Sequence, residues 1–438
     1  MSVCHRLSGG PPLRLARLRC LLFVLAMGTT MPGVSAGFAQ SPATDTLHLA
    51  EALRLARSVD PMLRAEQLRA LAARERVAPA GAWDDPELAV SLLNRPIGGA
   101  SMPEPMSMTS VRLSQMVPWP GTRSQARSAA AALADAEALD VREAGAMLEA
   151  RVTEAYHRIA AMDGALAVMG ETLQLLEGLR TVALAGYSAG EAPQQDVLQA
   201  QVNQARMEAD LVLMRAERQA AAARLNAMLA REPWSPVGAL VVEAEFPPLP
   251  SLEALVTEAI TQRPALAAAA ARVRAAGHDA AQAQRERYPD LMIGVEYAQR
   301  SGFEDMASLM LGVRLPIRAA IRQRPMQRER EAMRAMEEAE AGDLLAETWA
   351  QLAEAHAMAS RARDLHSLYA GRILPQVATA LEAAHSAYRV GAADFMTLVD
   401  TQMLLNRVRI EQIQLVAAFY SAHAEIMALL GRAGGDDR

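Results

Sequence analysis

Two hydrophobic patterns run through this chain, and each occurs twice. Over Leu291–Tyr297 apolar and polar positions alternate: Leu291, Ile293, Val295 and Tyr297 share one face, and Met292, Gly294 and Glu296 share the other. The same period sets Leu309, Leu311, Val313 and Leu315 against Met310, Gly312 and Arg314, and sets Val111 and Leu113 against Arg112 and Ser114. A period of two predicts strands, gathered here in β-hairpins over 86–118 and 289–317. Elsewhere the pattern is helical for far longer than the about 8–20 residues of an ordinary globular helix. No proline falls between Ser124 and Ala185, and about sixty residues at about 1.5 Å each make a rod of about 90 Å. A helix of about thirty residues opens each half, with Pro61 or Pro264 placed to bend it.

The long helical segments break at two related stretches, GYSAGEAPQQDVLQAQ (Gly186–Gln201) and AYRVGAADFMTLVDTQ (Ala387–Gln402). Both carry Tyr-x-x-Gly. Gly190 and Gly391 can take positive φ and end one helix as left-handed caps. Pro193 suits the first turn of the next helix, and Asp394 can cap its counterpart. Taken alone, each stretch fits a plain antiparallel helical hairpin.

Other segments also recur. LAEALRLARSVDPML (Leu49–Leu63) matches LEALVTEAITQRPAL (Leu252–Leu266), and LNAMLAR (Leu225–Arg231) matches IMALLGR (Ile426–Arg432). Pro86-Glu87-Leu88 pairs with Pro289-Asp290-Leu291, and Val111-Arg112-Leu113 with Val313-Arg314-Leu315. The offset stays near 200 throughout, which reads as a tandem duplication. The expected organisation is a first repeat over 40–231 with its helical tip near 186–196, a proline-rich linker over 232–250, a second repeat over 251–432 with its tip near 387–400, and a polar tail over 433–438.

Composition changes the picture at the N-terminus. Residues 1–39 hold Arg6, Arg14, Arg17 and Arg19, no acid, the apolar run Leu21–Gly28 and small residues at Val34-Ser35-Ala36 and Gly37-Phe38-Ala39, which reads as a secretory signal peptide. Both cysteines, Cys4 and Cys20, lie inside it, so the mature chain is expected to be thiol-free. It keeps 40 basic against 50 acidic residues, near −10, a charge that argues against nucleic acid as a partner. Aromatics are only 4% of the chain, and a composition dominated by Ala, Leu, Arg and Glu points to long helices in coiled-coil packing.

The strands need a solvent. Runs of about ten residues with one apolar and one polar face suit a lipid-facing barrel with an aqueous lumen, and Trp83, Trp119, Tyr288 and Phe303 sit near run ends, where interface aromatics belong. The same alternation would also suit a half-buried hairpin on a soluble domain; the secretory signal and the duplication favour the membrane. A hairpin in hydrocarbon cannot leave its edges unpaired. Two hairpins give four strands, whereas single-chain barrels begin at about eight. One chain therefore cannot close a barrel, and three chains would supply twelve strands.

With these features together, the chain resembles the trimeric outer-membrane efflux channels, the TolC-like family, over nearly its whole mature length. The paired Tyr-x-x-Gly turns, Ile373-Leu374-Pro375-Gln376 and QMVPWPG (Gln115–Gly121) carry the resemblance. The last of these, with DDPELAVSLLNRPIGG before it and Glu104–Met108, is similar to the heavy-metal (CzcC/CusC-like) branch. The resemblance implies a mainly α fold with a β-barrel part: a repeated helix-strand-strand-helix unit, a twelve-stranded trimeric barrel in the outer membrane, and a helical tunnel reaching into the periplasm. It implies a homotrimer working with a periplasmic adaptor and an inner-membrane RND-type pump, as a passive duct and not an enzyme. Cargo would be heavy-metal cations; drug efflux, type I protein secretion and a soluble periplasmic coiled-coil scaffold are the alternatives.

The same likeness assigns roles. Tyr187, Gly190, Gly391 and Ala392 would form tip turns on which adaptor hairpins dock. Tyr388 would bond to Asp196 as a gate link, and Asp400 would add a ring of acids in the lumen. The family's second latch uses a basic residue two after the second glycine; Ala393 stands there, opposite Gln195, and Thr397 replaces one lumen acid. Met102, Met106 and Met108 are weak candidates for a soft cation such as Cu(I), with a plain loop as the simpler account. No cofactor is expected. His-Glu-x-x-His, Gly-x-Ser-x-Gly, Walker and Rossmann patterns are missing from any suitable context.

Overall fold

Proline sets the first boundaries of the fold. In the computed structural model the order is α1 (Leu49–Val59), α2 (Pro61–Ala80), β1 (Glu87–Leu93), β2 (Met108–Val117), α3 (Thr122–Ala189), α4 (Gln194–Met228), then α5 (Leu252–Gln262), α6 (Pro264–Arg285), β3 (Asp290–Arg300), β4 (Met306–Arg314), α7 (Gln323–Leu368), a π-helical turn (Tyr369–Ile373), α8 (Leu374–Arg389) and α9 (Phe395–Leu429). The residues described are 46–94, 106–241, 245–300 and 302–432, within the unit Ala43–Arg438. The expected signal peptide and polar tail lie outside them.

The single bent helix expected at the start of each half is in fact two helices. A residue before proline is pushed out of the helical region. Asp60 (φ −62, ψ 120) and Arg263 (φ −63, ψ 119) are accordingly extended, and Pro61 and Pro264 become first residues of new helices. The Asp60 carboxylate accepts from the Leu63 N–H at 2.7 Å. Arg263 cannot cap in that way. Its buried guanidinium instead donates to Glu143 at 3.0 and 3.1 Å and to the Thr348 hydroxyl at 2.7 Å.

α3 runs 68 residues without interruption, about 100 Å at about 1.5 Å per residue. Its counterpart is broken. Pro375 has no N–H to offer the Gly371 carbonyl, and the π-helical turn lies there. α3 packs against α2, α4, α6 and α9, and α7 packs against α6 and α9. Alanine lets these long helices approach closely: Ala136, Ala268 and Ala271 are buried together. Where the helices meet, Leu148, Val152, Ile159 and Leu225 form one core and Leu352, Ala359, Phe419 and Ile426 another. Nearer the tip, Met169, Leu176, Met207, Phe395 and Val399 form a third. One polar link crosses it, the Thr172 hydroxyl lying 2.9 Å from Asn406 Oδ1 and from its own Val168 carbonyl.

The proline-rich connection is fastened to the helices. Leu47 pairs with Leu240 in a parallel bridge. Tyr156 Oη accepts from the Val241 N–H (2.9 Å) and shares its one proton between the carbonyls of Leu47 (2.7 Å) and Val241 (3.0 Å). Tyr420 Oη reaches the Glu245 carbonyl at 2.8 Å, and Phe246 packs on Phe419. A segment without regular structure still has to pair its carbonyls, and here side chains of α3 and α9 do so.

His157 lies between these two tyrosines. It is 3% exposed, stacks on Tyr420 at 4.2 Å and meets Tyr156 edge-on at 5.5 Å. Neither ring nitrogen has a hydrogen-bond partner, and burial pushes its pKa down to about 4. The folded state therefore holds the neutral imidazole while the unfolded chain takes up a proton near pH 6.5. Stability from this site is fully present above about pH 6.5 and is lost as pH falls toward 4, by up to about 3 kcal/mol. Thermal unfolding of the wild type and His157→Phe in detergent between pH 7.5 and 4.5 tests this. The variant should lose clearly less stability on acidification, and parallel curves would show that His157 has no such part.

Candidate functional site

Two regions carry the candidate function: the sheet and the helical tip. The sheet has the order β1-β2-β3-β4, antiparallel throughout. The two hairpins are joined by β2 and β3, with Arg112 opposite Glu296 and Leu113 opposite Val295. The alternation predicted above sorts the faces. Leu88, Val90, Val111, Leu113, Ile293, Val295, Leu309, Leu311 and Val313 lie on one side, and all are exposed, Leu311 to 76%. The other side carries the Arg112–Glu296 ion pair at 2.8 Å and the buried Ser110. An apolar face of this extent, uncovered by the other described residues, is a binding surface or a membrane surface. β1 pairs only with β2 and β4 only with β3, so both outer edges of the described sheet are open.

Aromatic residues close both ends of the sheet. The Trp119 ring stacks on Tyr288 at 4.8 Å and 17°, and the Trp119 backbone N–H donates to Asp290 Oδ1 at 3.2 Å. The Arg123 guanidinium lies 4.0 Å over the Trp83 ring. At the far end Arg300 lies over Phe303, and Tyr297 Oη donates to the Asp305 carboxylate. Gly121, at φ +89, turns the chain from β2 into α3.

The two tip turns have the same geometry. The Gly190 N–H donates to the Tyr187 carbonyl (3.0 Å) and the Glu191 N–H to the Gly186 carbonyl (2.9 Å). In the second turn Gly391 donates to Tyr388 (3.1 Å) and Ala392 to Ala387 (2.9 Å). These are paired Schellman closures, with Gly190 at φ +78 and Gly391 at φ +71. Ala392 is exposed, and Tyr187 is 46% exposed. Asp394 caps α9, accepting from the Thr397 N–H at 2.8 Å, so the residue standing in place of an expected lumen acid serves the cap. Pro193 lies one step outside α4, extended at ψ 151, and is not in its first turn.

The structure brings Tyr388, Asp196 and Asp394 together. Burial, then the neighbouring Asp394 charge, raises the Asp196 pKa. Burial, then the Asp196 charge, raises that of the Tyr388 phenol. The Tyr388 ring packs edge-on against Phe395 at 5.9 Å. Among the described hydrogen bonds there is none between Tyr388 and Asp196. Asp400 is exposed on α9, about one turn beyond Thr397. Of the methionines, Met108 opens β2, Met106 is exposed and Met102 lies outside the described residues. Among the described residues no group of three His, Cys, Asp or Glu side chains could hold a metal ion.

Periodicity gave no sign of Tyr156 and Tyr420, which fasten the connection between the halves, or of His157 packed between them. A lone tyrosine or histidine on a long helix has no spacing signature.

Comparison with known proteins agrees with this geometry. Residues 52–231 and 255–432 match the family model described as Outer membrane efflux protein. CusC, in structures concerned with folding and transmembrane channel formation, superposes with a TM-score of 0.76 at 18% identity, over 89% of this chain and 94% of CusC. The outer membrane protein VceC of Vibrio cholerae gives 0.74 at 17%, over 88% and 96%. The open-state outer membrane channel MtrE of Neisseria gonorrhoeae gives 0.72 at 14%, over 88% and 89%. No curated protein matches by sequence.

The turns make a local prediction. Valine at Gly190 or Gly391 would hold a β-branched side chain at positive φ, costing about 1–2 kcal/mol. Protease cleavage at the tips should rise several-fold in Gly190→Val and Gly391→Val while the main thermal transition moves little. Unchanged cleavage would mean that the turns tolerate another backbone conformation.

Proposed function

We propose that this chain, which belongs to the outer membrane efflux protein family, forms with two further copies the exit duct of a tripartite efflux system. It is an outer-membrane protein and not an enzyme. The observation that carries the proposal is the sheet: four strands, one exposed apolar face and two open edges. Hydrocarbon offers no partner to an edge N–H or carbonyl. Pairing β4 of one copy with β1 of the next satisfies both edges, and three copies give a closed barrel of about twelve strands, above the about eight that small barrels need. The soluble-scaffold reading gives way, since family membership places the chain in the outer membrane.

The tunnel would follow from the same symmetry. Each copy contributes α3, α4 and α7–α9, which meet at a tip bearing two Schellman turns. The recurrence of the element order, together with two separate matches to one family model, supports the tandem duplication. Six turns per trimer would present Tyr187, Gly190, Gly391 and Ala392 to a periplasmic adaptor, with an inner-membrane RND-type pump supplying the energy. Tyr388, Asp196 and Asp394 sit where the mouth would narrow, and Asp400 extends the acidic lining. We assign heavy-metal cations as cargo on the QMVPWPG segment and this acidic mouth; drugs and secreted proteins are the rival cargoes.

The gate is tested in planar bilayers. A phenol-to-carboxylate bond forming in the closed trimer contributes about 1.5–3 kcal/mol. Tyr388→Phe with Asp196→Ala should raise single-channel conductance, and unchanged conductance would remove the pair from the gate. Cargo is tested in a deletion strain. Growth inhibition by divalent metal salts, relieved by the wild-type gene, supports metal export. Sensitivity confined to hydrophobic drugs would reassign the cargo.

A further inference from the structure

The short connection from β4 into α7 carries a charge pattern that the duct itself does not use. Between Arg314 and Arg328 stand Arg314, Arg318, Arg322, Arg324 and Arg328, and no acid. All five are exposed. Among the described residues none makes a side-chain hydrogen bond or an ion pair; the first ion pair in this stretch belongs to Arg330, with Asp279 at 3.8 Å. The corresponding place in the first half is different. There Arg123 donates to the Gly81 carbonyl at 2.6 Å and covers Trp83.

Three further observations bear on these arginines. They surround the N-terminus of a 46-residue helix with no acid in its first turn. The partial positive charge at that end repels them, so an anion there is doubly favoured. Exposed apolar side chains are interleaved with them: Leu315 at 62%, Ile317 at 87% and Ile321 at 75%. The segment also continues β4, whose Leu309, Leu311 and Val313 lie on the exposed apolar face.

From this placement we infer that Arg318, Arg322 and Arg324, with Ile317 and Ile321, form a collar that binds anionic phospholipid headgroups of the leaflet bordering the helical end of the sheet. The isoleucines enter the acyl boundary and the guanidinium groups take the phosphates, the arrangement that holds amphipathic segments at an interface. The inference rests on the sheet being lipid-facing. A second copy's carboxylates are the competing occupant. Charge complementarity alone fits either one; the exposed isoleucines beside the arginines fit lipid.

The test uses the full-length trimer reconstituted into phosphatidylcholine bilayers, with trace spin-labelled phosphatidylglycerol or spin-labelled phosphatidylcholine. The motionally restricted fraction of the spectrum measures lipid at the protein surface. Wild type should associate with phosphatidylglycerol roughly five-fold more strongly than with phosphatidylcholine at low salt, as expected for one well-placed cation at a membrane surface, and salt should weaken this. Arg318→Gln/Arg322→Gln/Arg324→Gln should abolish the preference, the single variants should lower it in part, and Arg-to-Lys changes should retain most of it. Equal association of both labels with wild-type protein overturns the collar while leaving the channel intact. A triple variant that keeps the preference overturns the assignment. So does one that falls apart into monomers while wild type shows no preference, which would give the arginines to the contact between copies. Failure of wild-type protein to enter any bilayer would instead sink the lipid-facing reading on which the collar rests.

Discussion

An unpaired strand edge is tolerable in water and not in hydrocarbon. Among the described residues, β1 and β4 each leave a row of N–H and carbonyl groups unpaired, and the face between them presents leucine, isoleucine and valine outward. In water the apolar face would invite aggregation. In lipid the face is satisfied, but each edge group then costs several kcal/mol until something pairs with it. A second edge of the same kind is the one partner that satisfies both requirements, and every copy carries one. The remaining architecture is arranged around this need. Gly121 and the Trp119–Tyr288 stack turn the chain from strand to rod. The helices α3 and α9, packed through small residues, carry it away from the sheet to the tip.

Polarity is placed as economically as apolarity. The ion pair Arg112–Glu296 stays on the side away from the apolar face. The carbonyls of the connecting segment are received by Tyr156 and Tyr420, and His157 remains uncharged between them. At the tip, by contrast, Asp196 and Asp394 share a small volume beside Tyr388. Like charges kept close together are costly, and burial with the Asp394 charge accordingly raises the Asp196 pKa.

Much of this was legible in the residues, and the reasons differ by element. Strand alternation was plain because both solvents of the sheet, lipid-like and aqueous, impose a period of two. The tip glycines were plain because positive φ excludes most side chains. Pro61 and Pro264 break their helices where the sequence suggests only a bend: proline's effect on the preceding residue decides it, and Asp60 completes the first break with its cap. The fastening of the linker over 232–250 was not legible, because it depends on single tyrosines placed far away in sequence. The Tyr388–Asp196 pair shows another limit. The resemblance set the two residues side by side, and the structure packs the Tyr388 ring edge-on against Phe395, with no bond to Asp196 among the described hydrogen bonds.

The proposed barrel needs β1 of one copy to meet β4 of the next, and cysteine cross-linking tests that contact directly. With Cys4 and Cys20 replaced by serine, Val90→Cys would be combined in turn with Leu309→Cys, Leu311→Cys and Val313→Cys, and membranes oxidised before denaturing electrophoresis. At least one pair should give covalent dimers and trimers that collapse to monomer on reduction. Monomer alone for every pair, from chains shown to be correctly folded in the membrane, would contradict the shared wall.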